Sequence, residues 1–265
     1  MPEVKSLRAL VGSSGFVGSL LARTESFSAS YRSTNIDQIR GRSFDLVVCA
    51  AAPAQKWIAN REPLADLRNI GTLMGHLESV RARRFVLIST VDVFRDPVGV
   101  DESSSVDEAG LHPYGLHRRR LEQFVQSRFD DSLIVRLPGL VGPGLRKNVI
   151  FDFLNDNNLA AIDSRGLFQF YPMVNLWYDI RTALDHGLGL VHLTAEPVTV
   201  AEVALRGFNR QFVQELAAPP AAYDMRSLHG ALFGGSGHYQ YSRRESLQAI
   251  RAYAQSEPRT LKEES

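Results

Sequence analysis

The chain alternates between short apolar runs and segments whose apolar residues recur every three or four positions. Residues 7–11 (L-R-A-L-V) form a short apolar run closed by glycine, the pattern of a buried strand, and residues 16–21 open an apolar helix. Residues 27–32 predict a second strand, and residues 35–40 about one turn of helix. Residues 44–52 (F-D-L-V-V-C-A-A-A) are almost continuously apolar, as in a strand buried on both faces. Leu64, Leu67, Ile70, Leu73, Met74, Leu77 and Val80 then mark a long helix, and residues 85–90 mark the next buried strand. Residues 95–113, rich in Asp, Ser, Pro and Gly, predict a loop. Residues 114–129 predict a helix and residues 132–137 a strand. This rhythm predicts an α/β fold, a doubly wound parallel sheet with right-handed crossovers.

After Pro138 the rhythm loosens. Residues 137–144 (L-P-G-L-V-G-P-G) predict a turn-rich loop at the C-terminal end of a strand, where such sheets place their ligands. Residues 149–154 start a helix, 167–171 predict a short strand, 176–184 a helix and 188–193 a strand. Thr199 with Glu202 forms a capping box for a helix over 200–216, and Ser242 with Glu245 one for a helix over 244–254. There is no internal repeat. The organisation expected is a core over residues 1–140, a smaller part over 141–255 interleaved with it, and a polar tail over 256–265 that frays.

Composition narrows the possibilities. At 265 residues, 44% hydrophobic and 22% charged, the chain can bury a sizeable core. A net charge of +1 provides no electrostatic reason for a nucleic-acid or anionic membrane partner. The single cysteine, Cys49, cannot form an internal disulfide and reads as a small core residue. No apolar stretch reaches the roughly 20 residues of a membrane span, and the N-terminus M-P-E-V-K-S lacks a signal-peptide core. The expected location is the cytoplasm, and no metal site is expected.

Gly12, Gly15 and Gly18 stand in the spacing G-x-x-G-x-x-G between the first strand and the first helix. Gly12 permits a tight turn, Gly15 lets backbone approach a pyrophosphate, and Gly18 lets the helix pack close to the sheet. The helix N-terminus adds free N–H groups and a positive dipole end, so a dinucleotide site is expected here. Arg32, at the end of the second strand and with no acid before Asp37, favours NADP over NAD. Thr90 ends a buried strand, Tyr114 begins a helix, and Arg118 lies one turn on, on the same face. A cation there favours the phenolate and lowers the phenol pKa. Thr90 can share a hydrogen bond with the same substrate oxygen, so the group can move a proton to or from a sugar hydroxyl. On the bland alternative, Tyr114 is a half-buried helix start and Arg118–Arg120 a solvated charge run.

These segments resemble, in order over roughly residues 7–205, the extended short-chain dehydrogenase/reductases, the nucleotide-sugar epimerases, dehydratases and reductases with a Rossmann-type core. The matching stretches are G12-S-S-G-F-V-G18, A50-A-A52, N69-I-G-T72, S89-T-V-D-V-F94, Y114-G-L-H-R118, R136-L-P-G-L-V-G-P-G144, W177-Y-D-I180 and E196-P-V-T199. The resemblance implies cofactor contacts from Gly12, Ser14, Gly15, Phe16, Val17, Arg32, Ala50, Ala51, Ala52, Asn69, Tyr114, Arg118 and Pro138. It implies Thr90, Tyr114 and Arg118 as the catalytic set, and Asp92, Arg136 and Asn148 as substrate contacts. Arg118 stands where the family has a lysine; arginine keeps the charge but is forked and never a proton shuttle. S-T-V-D-V-F is similar to the dTDP-4-dehydrorhamnose reductase branch, and Val91 beside Asp92 argues against a dehydratase, which carries an Asp-Glu pair there. The implied function is an NAD(P)-dependent sugar oxidoreductase or epimerase, the sugar nucleotide-linked. The alternative is an inactive NAD(P)-binding sensor or partner subunit. The family also implies a possible homodimer through the helices at 64–80 and 114–129.

Overall fold

The computed structural model describes residues 6–260. The expectations for the first five residues and for residues 261–265 of the tail lie outside the described residues. The chain divides into two compact units that alternate along the sequence. The first takes the described residues up to Arg95, then Ser104–Leu137 and Leu176–Val191. The second takes Asp96–Ser103, Pro138–Asn175 and the described residues from His192 onward. The chain passes between the units near residues 95, 103, 137, 175 and 191.

The first unit is built on β1 (Arg8–Val11), α1 (Phe16–Thr24), β2 (Ala29–Tyr31), β3 (Ser43–Cys49), α2 (Lys56–Arg61), α3 (Pro63–Leu77), β4 (Arg81–Thr90), α4 (Pro113–Arg128), β5 (Ser132–Leu137), α5 (Leu176–Asp185) and β6 (Leu190–His192). Among the described residues these six strands form one sheet in the order β6-β5-β4-β3-β1-β2. Pairing is parallel between β1 and β2, β1 and β3, β3 and β4, and β4 and β5. Alternate residues face a cluster with α3 and α4: Val11, Val47, Phe85, Leu87 and Ile134 pack with Ile70, Leu77, Leu121 and Val125. Phe85 stacks on Phe129 with ring centroids 4.2 Å apart. The intervening Leu10, Val48, Val86 and Leu133 are equally buried on the other face, which is why these strands read as continuous apolar runs. Between β2 and β3 the chain forms only a 3-10 turn, Ile36–Ile39. The strand order therefore reverses between β1 and β3, and a reversal of this kind opens a crevice at the carboxyl ends of the strands.

Two features of this unit are absent from the apolar pattern. β4 begins at Arg81 rather than residue 85, because its polar first turn of strand still pairs with β3 from Ser43 onward. The short helix α2 is too brief to leave a periodicity.

In the second unit short strands pair locally. Gly139–Val141 pairs with Phe170–Pro172, Leu167–Phe168 with Val198–Thr199, and Val98–Val100 with Asp224–Met225. The strand expected at 167–171 is interrupted at Gln169, whose buried amide donates to Thr194 Oγ1 and the carbonyls of Ala195 and Met225. Both capping boxes form, but they lead to different outcomes. After Ser242 the helix runs from Arg243 to Ser256. After Thr199 it lasts only through Val200–Glu202 and a π-turn at Val203–Gly207, well short of residue 216. Asn209 turns left-handed at φ 50°, and the Gln214 amide donates to the carbonyls of Leu159 and Ile162 instead of continuing the helix. The described part of the tail is pinned rather than frayed. Glu257 accepts the Gly144 N–H at 3.2 Å, and the Thr260 N–H donates to Asn155 Oδ1 at 2.6 Å.

Candidate functional site

The site grows from the carboxyl ends of β1, β3 and β4. Gly12 adopts φ +87°, and a Cβ on it would lie 2.5 Å from the Ala50 carbonyl oxygen. A Cβ on Gly18 would overlap the Gly12 carbonyl oxygen. Both glycines are therefore demanded by the turn itself. Gly15 is different: its Cβ would have no neighbour closer than 3.4 Å, so packing within the chain leaves space in front of it. Gly15 is the N-cap of α1, where no side chain caps the helix and no acid stands in the first turn. Ser14 and Gly15 are exposed, and Phe16 and Val17 are half-buried. Ala50, Ala51 and Ala52 line the neighbouring edge and are also half-buried. Arg32 is exposed beyond β2, with its backbone N–H held by Asn35 Oδ1 at 2.7 Å. Asn69 sits exposed on α3, and Pro138 opens the second unit.

α4 delivers Tyr114 to this edge. His112 caps the helix, its Nδ1 accepting the Gly115 N–H at 3.0 Å, and Pro113 follows at the first helical position. Asn60 Oδ1 accepts the Tyr114 N–H at 3.0 Å. A Cβ on Gly115 would overlap the Asp92 carbonyl oxygen, so glycine there lets the helix start sit on the turn after β4. Tyr114 is 8% exposed, and the Thr90 hydroxyl is among the groups that act on its phenol. Thr90 Oγ1 accepts the Asp92 N–H at 3.2 Å. Asp92 in turn pairs with Lys56, whose Nζ lies 2.6 Å from Oδ1.

Arg118 lies over the Tyr114 ring, its guanidinium carbon 3.9 Å from the centroid. It is buried and grips Asp66 on α3 with both terminal nitrogens, one at 2.9 Å from Oδ1. The same nitrogens donate to the carbonyls of Tyr114 and Pro53. Asp66 also contacts His117 Nδ1 at 2.7 Å. Arg118 is thus tied into the α3–α4 packing. Burial pushes the Tyr114 phenol above its usual range; Arg118 opposes this, Asp92 adds to it, and the Thr90 hydrogen bond and Lys56 oppose it. Arg118 does act in the direction expected from sequence, but burial outweighs it and the phenol stays protonated at neutral pH. Burial also drives the Cys49 thiol up to about 11, as suits an inert core residue.

Two expected substrate contacts, Arg136 and Asn148, are engaged by other parts of the chain. Arg136 is 2% exposed on β5, with Nε and Nη2 at 2.9 and 2.7 Å from the two oxygens of the fully buried Glu122. Glu122 also accepts the Ser89 hydroxyl at 2.6 Å. Arg136 is part of an interior ion pair, because a guanidinium on a strand buried on both faces needs a carboxylate beside it. Asn148, in the second unit, caps the helix Val149–Asn155. Its Oδ1 accepts the N–H groups of Ile150 and Phe151, and its amide donates to the Leu140 carbonyl. Its left-handed backbone, φ 92°, explains an asparagine there. Asp92 does reach the Thr90–Tyr114 cluster. Lys56, Asn60, Asp66 and His112 were not singled out by sequence; the first three meet their partners only across a long stretch of chain, and His112 caps its own helix through a ring nitrogen.

A cavity of about 400 Å³ opens elsewhere, at the N-terminal ends of β1, β3 and β4, lined by Arg8, Glu25, Arg83, Trp177 and Arg181 among others. Arg8 pairs with Glu25 at 3.4 Å, and the same carboxylate accepts the Trp177 Nε1–H at 2.7 Å. Among the described residues no group of three or more His, Cys, Asp or Glu could hold a metal ion, and no helix is long and apolar enough to cross a membrane.

No family model and no curated protein matches the chain. Solved structures do. A dTDP-4-dehydrorhamnose reductase from Bacillus anthracis, in complex with NADP, superposes with a TM-score of 0.70 at 17% identity, over 96% of this chain and 99% of that one. The corresponding reductase from Yersinia enterocolitica gives 0.72 at 14% identity, over 95% and 99%. A UDP-galactose 4-epimerase gives 0.71 at 17% identity, over 94% and 97%. The chain therefore has the Rossmann-type fold shared by the dTDP-4-dehydrorhamnose reductases and the NAD-dependent epimerase/dehydratase enzymes.

Proposed function

We propose that this chain is an NAD(P)-dependent enzyme acting on a nucleotide-linked sugar, a reductase or an epimerase, with Tyr114 as its acid/base. The observation that carries the reading is the placing of the buried Tyr114 at the start of α4, seated through Gly115 on the turn after β4 that holds Thr90 and Asp92, in the same unit as the glycine turn and uncapped α1 at the strand-order reversal. The space before Gly15 fits a dinucleotide pyrophosphate, which would be held by the α1 N-terminus; Arg32 would meet a 2′-phosphate. A bound nicotinamide supplies or takes the hydride. The chain's own part is proton handling. Tyr114, kept protonated by burial, gives its phenolic proton to the substrate oxygen, while the Thr90 hydroxyl, donating to the phenol oxygen, steadies the charge left there. A protonated donor and an arginine at the 2′-position both suit reduction of a keto-sugar.

The test is the affinity for NADPH and NADH, then turnover of dTDP-4-dehydrorhamnose with whichever binds. The expected result is NADPH binding at least about tenfold tighter, or about 1.4 kcal/mol. Binding of neither at near-millimolar concentration sinks the reading. One observation favours a second reading, a non-catalytic NAD(P) sensor or partner subunit: Arg118 is locked onto Asp66. Arg118→Lys separates the two, since an enzyme built around arginine loses activity and a sensor shows none before or after.

A further inference from the structure

Two cations act on the Tyr114 phenol, and they differ in what they can do. Arg118 is held by Asp66 and by two backbone carbonyls, with its side chain 3% exposed. A guanidinium so bound cannot follow charge that develops on the phenol oxygen, and it does not yield a proton. Lys56 stands at the start of α2 with its side chain 38% exposed and its ammonium 2.6 Å from Asp92 Oδ1. The other Asp92 oxygen is 3.5 Å from Thr90 Oγ1, Thr90 Oγ1 accepts the Asp92 N–H at 3.2 Å, and the Thr90 hydroxyl acts on the phenol. The order from solvent inward is Lys56, Asp92, Thr90, Tyr114.

We propose that Lys56 is the positioning cation of this site: through its ion pair it orients Asp92 beside Thr90 and cancels the Asp92 charge that bears on the Tyr114 phenol. This rests on Tyr114 being the acid/base. When the phenol gives its proton to a substrate oxygen, a phenolate is left in a buried place. Next to Asp92 alone, two anions would repel; with Lys56 paired, the neighbouring charge sums to zero. One O–H bond breaks and one forms, and the phenolate regains its proton from water. The charged and titratable groups facing the phenol are Arg118 from α4, Asp92 from the turn after β4, Lys56 from α2, and His112, whose ring centroid is 6.3 Å from that of Tyr114. His112 reports on the same pair. Burial holds it below its usual value, Lys56 lowers it further, and Asp92 opposes.

The test requires no substrate. Full-length protein carrying tyrosine labelled at Cζ is titrated by NMR, the Tyr114 signal being the one lost in Tyr114→Phe. His112 is followed by the imidazole signal lost in His112→Asn, a variant that keeps an N-cap acceptor. Lys56→Met is expected to raise the ionisation pH of both groups by about half a unit or more, Lys56→Arg to restore both, and Asp92→Asn to lower both. A Tyr114 curve that is unchanged or lowered in Lys56→Met overturns the assignment, even where His112 moves. NADPH affinity measured on the same samples separates this from the proposed function. Expected shifts in a protein that does not bind NADPH leave Lys56 assigned and remove the oxidoreductase, whereas NADPH binding with an unmoved Tyr114 does the reverse.

Discussion

Two cation–carboxylate pairs flank the same tyrosine in opposite surroundings. Arg118–Asp66 has side chains 3% and 4% exposed; Lys56–Asp92 has 38% and 16%. The first joins two helices in a dry interface, where breaking either partner leaves an uncompensated charge. The second stands at the edge of the site, where water solvates both ions and the pair contributes little to stability. Burial, rather than residue type, separates the two pairs. Arg136–Glu122 resembles the first pair: it too lies in the interior.

The contrast can be tested in order of effect. Tyr114→Phe removes only the hydroxyl that both pairs bear on. It is expected to lower turnover by about 10²–10⁴-fold, while circular dichroism and NADPH affinity stay near wild type. Asp66→Ala strands Arg118, so urea unfolding should show a loss of about 3–5 kcal/mol; a loss below about 1 kcal/mol would place Arg118 outside the scaffold. Arg32→Ala should weaken NADPH binding about tenfold and leave NADH unchanged, the signature of a lost 2′-phosphate contact. The smallest effect belongs to the exposed pair: Lys56→Met should cost under about 1 kcal/mol of stability. A larger loss on chemical unfolding would make that pair structural and erase the distinction.

Much of the first unit was legible because its strands are buried on both faces and its helices on one. Continuous apolar runs and three-four spacing follow directly from that packing, and β5 was bounded at residues 132–137 from sequence alone. The second unit resisted for a physical reason. Its strands are two or three residues long and its polar groups are satisfied by long-range side-chain bonds, such as those of Gln169, that leave no local period. Within the site, Gly12, Thr90 and Tyr114 were legible from local context, turn and element ends. Lys56 was not, because it meets Asp92 across 36 residues and sits on a helix too short to announce itself.

By itself, then, the sequence determined the order of the first unit's strands and longer helices, the glycine turn and the polar residues at strand ends, all set by local sterics and periodicity. Tertiary structure alone decided which charges are buried. It put Asp66 under Arg118 and Glu122 beside Arg136, and left Lys56 half in water, because depth depends on which distant segments pack together.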